Sequence, residues 1–250
     1  MISFKNVSKA FGNNQVLENL SLDINEGETI TIIGGSGSGK SVLLKLLLDV
    51  LRTDKGHIFF KGRDITAMND WEIIDVRKNI GMLFQGAALF DSLNVGENIA
   101  YPLREHFKYS EDKIKKIVSA KLDLVGLSGL HHMMPADLSG GMKKRVGLAR
   151  AIATDPAVIL YDEPTTGLDP ANTMRINRLI RELQRKLHVT SIVVTHDMAS
   201  AFLVSDRLAM LYNKRIEFVG TPEEAKKSPN NVVQHFIQGY IGEEGARDAG

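Results

Sequence analysis

The chain has 250 residues, 43% of them hydrophobic and 24% charged, which suits one large α/β domain or a domain with a subdomain. Its 31 Lys and Arg against 30 Asp and Glu leave a net charge of +1, which excludes the broad basic surface of a protein that binds nucleic acid or anionic lipid by charge alone. The absence of cysteine excludes disulfides, cysteine nucleophiles and thiolate metal sites. We expect neither a membrane span nor a targeting segment.

The first third of the chain predicts strands and one helix. Residues 29–33, TITII, are β-branched throughout, as expected for a strand buried on both faces of a parallel sheet. A glycine-rich turn follows and leads into a helix over Ser41–Leu51. The other strands predicted before residue 86 are Ile2–Val7, Val16–Ile24, His57–Lys61 and Ile80–Phe84.

The rest of the chain predicts a helical insertion followed by a return to strands. Residues 86–150 are mainly helical, with an amphipathic helix over 111–126. A further helix begins at Pro170, a capping box at Thr221 opens a single C-terminal helix over 221–238, and residues 239–250 look frayed. The strands predicted here are Ala157–Tyr161, Ser191–Thr195 and the hairpin Leu208–Tyr212 with Arg215–Val219.

These elements predict the fold class and its layout. We expect an α/β domain over residues 1–240 with a parallel core sheet, formed by 1–85 and 151–220. The N-terminal strands form an antiparallel β part, and residues 86–150 form a helical subdomain.

Residues 34–41, GGSGSGKS, match the phosphate-binding pattern G-x-x-x-x-G-K-[ST]. Glycines let the backbone curl so that successive N–H groups face phosphate oxygens, and the helix after them adds its positive N-terminal end. Lys40 would supply charge to the β- and γ-phosphates, and the Ser41 hydroxyl could bind Mg²⁺. A flexible turn is the weaker interpretation, because a buried strand precedes the motif and a helix follows it. The residues expected to bind the nucleotide triphosphate here are Gly34, Gly35, Ser36, Gly37, Ser38, Gly39, Lys40, Ser41 and Val42.

Polar side chains follow three of the predicted strands. Asp162 and Glu163 come at the carboxyl end of a strand, which is the edge where open α/β sheets bind ligands. Asp162 would hold the hydration shell of Mg²⁺, and Glu163 would orient and deprotonate the attacking water. His196 ends another strand and is expected at the same edge, within reach of the γ-phosphate. Gln85 follows Ile80–Phe84 and could bring an amide oxygen to the metal and the water.

With LSGGM at 138–142 added, the chain resembles the nucleotide-binding subunits of ABC transporters over about residues 1–240. The resemblance implies a P-loop NTPase fold of the ABC type, with a helical signature subdomain. Met142 departs from the family, which mostly has glutamine there, and this removes an amide hydrogen bond at the start of the signature helix. The matching elements, in the order of the family, are Phe11, the phosphate loop 34–41, Gln85, the signature 138–142, the acidic pair 162–163, the D-loop 167–169 and His196.

The same resemblance implies an ATPase that uses ATP and Mg²⁺. Phe11 would stack on adenine, and His196 would act as a switch that senses the γ-phosphate. Mg²⁺ would be bound by Ser41, Gln85 and, through water, Asp162. The residues with implied catalytic roles are Glu163, His196, Lys40 and Gln85.

The resemblance further implies a homodimer. Ser139, Gly140 and Gly141 would reach across the dimer interface to the γ-phosphate in the opposite site, and Asp169 would link the two sites. ATP binding would close two copies of the chain around the nucleotide, and hydrolysis would release them.

A narrower resemblance lies in residues 82–106 and 135–142, which look like the ATPase of Mla-type systems that move phospholipids with MCE-domain proteins. It implies a cytoplasmic motor subunit, peripheral on the inner face of the inner membrane, whose partners are a permease, MCE-domain and small accessory subunits, and no nucleic acid. The permease would dock near residues 86–105. The apolar residues expected partly to line that groove and partly to fill the subdomain core are Ala87, Ala88, Leu89, Phe90, Leu93, Val95 and Tyr101.

Two other functions are compatible with the same ATP site. A regulatory switch would need no permease, but such proteins commonly carry tandem cassettes, long coiled-coil insertions or basic arms, and none is visible in the sequence. An importer ATPase for a polar solute, such as an amino acid, would differ in the cargo of its permease.

Three remaining signals have weaker interpretations. His131 and His132 lack the spacing of metal ligands, so we interpret them as part of a loop. The basic face formed by residues 143–145 and Arg150 is expected to support contacts of the signature helix with phosphate and acidic neighbours. Trp71 has no assigned role.

Overall fold

The structure is a computed structural model that describes residues 1–239. From residue 240 onward, the predicted frayed tail lies outside the described residues. The chain divides into two compact units, one formed by residues 1–73 with the segment from 192 onward and the other by residues 74–191. Among the described residues there is no helix long and apolar enough to cross a membrane.

All the predicted strands are present, together with three elements that were not predicted: strand β5 (Arg63–Asp64) and helices α2 (Asp70–Lys78) and α7 (Met198–Val204). The strands are β1 (Ile2–Phe11), β2 (Asn14–Ile24), β3 (Thr29–Ile33), β4 (Lys55–Phe60), β5 (Arg63–Asp64), β6 (Ile80–Leu83), β7 (Val158–Asp162), β8 (Thr190–Thr195), β9 (Arg207–Tyr212) and β10 (Arg215–Gly220). The helices are α1 (Lys40–Leu47), α2 (Asp70–Lys78), α3 (Val95–His106), α4 (Glu111–Leu124), α5 (Gly140–Ala151), α6 (Pro170–Leu187), α7 (Met198–Val204), α8 (Pro222–Lys226) and α9 (Asn231–Ile237).

Two predicted helices were wrong in extent. The first, expected to reach Leu51, ends at Leu47 because Asp49 adopts a left-handed backbone, with φ 50°. The single C-terminal helix expected over 221–238 is two helices. Pro229 has no N–H to continue a helix, and the Asn230 side chain accepts a hydrogen bond from Val232 N and so starts α9 afresh.

Helix α2 was not predicted at all. Its start carries a capping box, in which the Asn69 side chain accepts from Glu72 N at 3.1 Å and Glu72 accepts from Asn69 N at 3.0 Å. Trp71, which had no assigned role, lies in its first turn with 83% of its surface exposed.

The first unit contains an antiparallel sheet and a mixed one. The antiparallel sheet has the order β2-β1-β4-β5, and the mixed sheet has β9 between β10 and β3, with β8 on the other side of β3. Every residue of β3 is buried, as its composition predicts, and β3 runs parallel to β9 with Ile33 opposite Met210. A hydrogen bond from Glu18 N to Lys214 O, 2.9 Å, ties the antiparallel sheet to the β9–β10 hairpin.

The second unit carries helices α3 to α6 and two parallel strands, β6 and β7, with Leu83 opposite Tyr161. Helix α5 approaches β6 closely. A Cβ on Gly81 would lie 2.1 Å from the carbonyl oxygen of Ala151, and one on Gly147 would lie 3.0 Å from Leu83. Glycine at position 81 therefore allows an approach of the two backbones that a side chain would block, and glycine at position 147 allows a tight contact with Leu83.

Substituting Gly81 tests this close approach. Gly81→Ala is expected to lower the free energy of unfolding by about 1–3 kcal/mol, because the methyl group forces backbone to move. The matched control is Gly86→Ala, where a Cβ meets nothing within 4 Å and should change little. Urea denaturation of both variants is the measurement, and equal stability of the two would contradict the proposed contact.

Candidate nucleotide site

The phosphate loop connects β3 to α1 and is fixed at both ends by contacts that require glycine. A Cβ on Gly34 would lie 2.5 Å from Leu211 O. Gly39 has φ 102°, and a Cβ there would lie 2.7 Å from a methyl group of Val16. Residues 35–37 between these ends are exposed. The loop thus presents its backbone to solvent while β2 and β9 hold its ends in place.

Lys40 is buried on the inner side of this loop, with 6% of its surface exposed. Its Nζ donates to Gly34 O and Gly35 O, both at 2.8 Å. The ammonium group is therefore already inside the loop, and Ser41 follows it in the first turn of α1. A positive charge beside exposed backbone N–H groups is the arrangement that binds phosphate oxygens.

Two further residues assigned to the nucleotide lie in the first unit. Phe11 ends β1 and keeps 46% of its surface exposed, with Lys9 Nζ 5.5 Å from its ring centroid. His196 directly follows β8 and is exposed, ahead of α7, whose N-cap is Asp197. Both side chains are accessible to a ligand.

Gln85 and the acidic pair leave the same edge of the β6–β7 pair. The last paired residues are Leu83 and Tyr161, so Gln85 and Glu163 each lie two residues beyond the pairing. An amide oxygen and carboxylate oxygens are the hard donors that Mg²⁺ prefers. The donor set at this edge therefore fits a magnesium ion.

Glu163 is held in a defined position. It is 9% exposed, its backbone is left-handed with φ 47°, and its Oε2 accepts a hydrogen bond from Thr166 Oγ1 at 3.1 Å. A left-handed backbone costs a non-glycine residue about 1–2 kcal/mol, so the surrounding contacts must maintain it.

Sequence reasoning missed Lys144, which is 5% exposed on α5. Its Nζ donates to the backbone carbonyls of Gln85 and Glu163, the latter at 3.1 Å. Burial lowers the pKa of Lys144, while the negative charges of Glu163 and Asp162 raise it. One ammonium group thus joins the Gln85 loop to the turn that carries the acidic pair.

The basic helix face meets its expected acidic neighbours at Lys144, which lies near the negative charges of Glu163 and Asp162, but Arg145 and Arg150 have other partners. Arg145 donates to Gly126 O at 2.9 Å, and Arg150 donates to Ala87 O and Ala88 O at 2.8 Å. Like Lys144, these side chains donate to backbone carbonyls of loops. The sequence shows their charge but not which loops fold against the helix.

The signature and the D-loop lie against each other. Ser139 is the N-cap of α5 and, with Gly140, is exposed. A Cβ on Gly141 would lie 2.6 Å from Asn172 Oδ1, and Asn172 N donates to Asp169 Oδ1 at 2.9 Å. Hydrogen bonds from Asn172 lower the pKa of Asp169. The exposed start of the signature therefore packs against residues that directly follow the D-loop.

The segment 86–105 contains both core and surface residues. Ala87 and Val95 are buried, whereas Phe90 and Tyr101 are 42% and 45% exposed, with ring centroids 4.8 Å apart. Within the second unit a cavity of 450 Å³ is lined by Met82, Phe84, Ala88, Phe90, Tyr101 and Arg150, among others.

A buried asparagine holds this segment. Asn98 is fully buried, and its amide group donates to the carbonyls of Phe90, Leu93 and Asn94 and accepts from Phe90 N at 2.8 Å. His131 lies in a loop, as predicted. Its Nε2 forms a hydrogen bond of 3.0 Å with Ser119 Oγ on α4.

Comparison with known proteins decides the family. Residues 17–166 match the family model described as ABC transporter. The chain belongs to the ABC transporter family. It is 42% identical over 238 residues to the "Probable ribonucleotide transport ATP-binding protein mkl" of Mycobacterium leprae, covering 95% of this chain and 69% of that protein.

A second relative matches over nearly its whole length. The "Intermembrane phospholipid transport system ATP-binding protein MlaF" of Haemophilus influenzae is 41% identical over 239 residues, which cover 96% of this chain and 90% of that protein. The protein of the same name in Escherichia coli strain K12 is 39% identical, with 96% and 89% covered.

Solved structures confirm the predicted fold. The ATP-binding cassette MJ0796, a dimer in a post-hydrolysis state bound to ADP and Pi, superposes with a TM-score of 0.81 and is 31% identical, covering 89% of this chain and 99% of that one. The fold is the ABC-type P-loop fold, and the chain is an ATPase of this family that uses ATP and Mg²⁺.

Lys144→Met tests whether the buried ammonium positions the catalytic loops. It removes charged hydrogen bonds to Gln85 and Glu163, so we expect kcat for ATP hydrolysis to fall roughly tenfold or more while ATP affinity changes little. Lys143→Met is the matched control, because Lys143 is the neighbour of Lys144 in the sequence and its side chain is only partly buried. Equal kcat in the two variants, measured by phosphate release, would contradict a positioning role for Lys144.

Proposed function

We propose that this chain is the ATP-hydrolysing motor subunit of a transporter that moves phospholipid in the cell envelope. The observation that carries the proposal is the similarity to the MlaF proteins, which extends over nine tenths of their length as well as of this chain. The mycobacterial ribonucleotide-transport relatives are longer, and this chain spans about two thirds of them.

The nucleotide is held by an aromatic side chain, the phosphate loop and a magnesium ion. Phe11 stacks on adenine, residues 34–42 surround the phosphates, and Lys40 exchanges its loop carbonyls for phosphate oxygens. The buried position of Lys40 supports this role, since a preplaced charge loses little freedom on binding. Ser41, Gln85 and, through water, Asp162 would hold Mg²⁺, which would neutralise charge on the phosphates.

Hydrolysis depends on a carboxylate that can take a proton from water. Glu163 orients and deprotonates the attacking water, and the fixed backbone and Thr166 hydrogen bond of Glu163 support that assignment. Lys40 stabilises charge that develops on the γ-phosphate. Gln85 positions the water, and His196 contacts the γ-phosphate and reports its loss.

Two copies of the chain form each complete site. Ser139, Gly140 and Gly141 contact the γ-phosphate bound by the partner copy, and Asp169 links the two sites. Three observations support this: the exposed Ser139 at the start of α5, the bracing of Gly141 by Asn172, and the dimeric state of the MJ0796 cassette.

A permease subunit docks on the second unit near residues 86–105. The 450 Å³ cavity there has an aromatic wall of Phe90 and Tyr101, and Arg150 lies 5.7 Å from the Phe90 ring centroid. A helix of the permease fits a groove of this kind. The chain then works as a peripheral subunit on the cytoplasmic face of the inner membrane, together with MCE-domain and small accessory subunits.

Glu163→Gln tests the assignment of the general base. The amide keeps the shape of the side chain but cannot accept the proton, so we expect ATP binding to persist, kcat to fall at least about 100-fold, and ATP to trap a dimer. Steady-state phosphate release and light scattering with ATP are the measurements, with the exposed Glu26→Gln as control. Near-normal turnover of Glu163→Gln would show that another group is the base.

Purification of the intact complex tests the cargo. When this chain is tagged and its complex is extracted from membranes in detergent, we expect a multi-pass permease to co-purify with bound phospholipid, identified by mass spectrometry. The Glu163→Gln variant, held with ATP, serves as a second state of the same complex. A bound ribonucleotide would favour the function named for the mycobacterial relatives, and a complex without a permease would favour a regulatory switch.

A further inference from the structure

A polar cavity of 560 Å³ lies within the second unit, between the end of α4 and helices α5 and α6. None of the roles proposed above uses it. Its basic lining residues are Arg145, Arg175, Arg178 and Lys186, and its acidic ones are Asp123 and Glu182. The lining therefore carries an excess of two positive charges in a chain that is nearly neutral overall.

Both acidic side chains of the lining already have partners. Glu182 pairs with Lys186 at 3.5 Å, and Asp123 accepts a hydrogen bond from Ser128 Oγ at 2.5 Å. The side chains of Arg175 and Arg178, in contrast, form no hydrogen bond or ion pair with any of residues 1–239. They are exposed and three positions apart on α6, so they face the same side of the helix.

Arg145 forms the floor of the cavity and is over nine-tenths buried. Its Nη1 donates to Gly126 O at 2.9 Å and to Val125 O at 3.3 Å. Its Nε is buried and has no acceptor among the described residues. Burial lowers the pKa of Arg145, and the positive charge of Arg175 lowers it further. The guanidinium therefore has a buried Nε–H donor without an acceptor among the described residues and a like charge nearby, which is costly unless an anion relieves it.

We propose that this cavity binds a phosphate group, with Arg175 and Arg178 as its direct ligands and Arg145 as the buried charge beneath them. The planar fork of a guanidinium matches pairs of phosphate oxygens, and a dianion would neutralise the excess charge of the lining. The phosphate could belong to a free phosphorylated small molecule or to the headgroup of an anionic phospholipid. The inference does not depend on which cargo the transporter carries.

A solvated helix face is the plain alternative, because exposed arginines are common on helices. The buried Nε of Arg145 argues against it. Solvent-exposed arginines satisfy their donors with water, whereas this donor is buried without an acceptor among the described residues, and it belongs to a side chain that lines a polar cavity.

The test is a titration of the full chain with its phosphate loop already saturated by Mg-ADP. The probes are inorganic pyrophosphate and monomeric dihexanoyl phosphatidic acid, and the readout is the set of arginine Nε–H signals in ¹⁵N NMR spectra. We expect a saturable shift of the Arg145 signal. Arg175→Gln with Arg178→Gln should weaken binding roughly tenfold or more, because two charge-assisted contacts are lost.

The matched control removes the same charge outside the cavity. Arg185→Gln with Lys116→Gln, on α6 and α4, should change the apparent affinity by no more than about twofold, as expected for long-range charge alone. Because Arg175 and Arg178 are exposed and form no hydrogen bond within the described residues, their variant should keep the fold, which circular dichroism checks.

Each outcome decides the proposal. Arginine-dependent binding of pyrophosphate supports a free phosphorylated ligand, and arginine-dependent binding of phosphatidic acid alone supports a lipid headgroup. Absence of saturable binding by both probes overturns the proposal. Equal weakening of binding by the two double variants also overturns the proposal. A third contrary outcome is arginine-dependent binding of hexaglutamate, an anion without phosphate, when neither phosphate probe binds.

Discussion

The second unit is organised around a buried ammonium group. Lys144 is almost fully removed from solvent, and burying a charge without partners would be prohibitive. Its Nζ bonds to the carbonyls of Gln85 and Glu163 offset that cost, as does the negative charge of Glu163 and Asp162 nearby. If either carbonyl moved away, the ammonium would lose a charge-assisted hydrogen bond, which contributes about 1.5–3 kcal/mol. The Gln85 loop and the acidic turn are thereby tied to one helix.

The same helix, α5, holds other parts of the unit. At its start, Ser139 caps it and Gly141 lies against Asn172, whose amide groups bond to Asp169. Farther along, Arg150 binds the carbonyls of Ala87 and Ala88, at the beginning of the segment proposed to receive the permease. A rigid helix with these attachments cannot shift at one end without straining charged hydrogen bonds at the other. A displacement of the start of α5 would therefore be transmitted through the helix to the segment proposed to receive the permease.

How much could be predicted from the sequence depends on whether the signal is local. The β-branched run of β3 and the Thr221–Glu224 capping box act within a few residues, and both were predicted correctly. Lys144 was not recognised because its partners lie 59 and 19 residues away, and a lysine on a helix has the same pattern whether it faces water or a loop. The Asn69–Glu72 capping box of α2 was a local signal that was overlooked.

The buried lysines and the arginines of the cavity differ in whether the chain itself supplies acceptors for their hydrogen bonds. That difference determines whether a ligand is needed to balance their charge. Lys40 and Lys144 are buried, but backbone carbonyls accept their hydrogen bonds, so each is stable in the absence of a ligand. At the arginine cavity, Arg145 has two carbonyl partners, yet its buried Nε has no acceptor among the described residues and Arg175 adds a like charge. A buried guanidinium donor without an acceptor costs stability. A site whose charge is left unbalanced is stabilised by binding an anion, because the ligand supplies the acceptors that the chain does not.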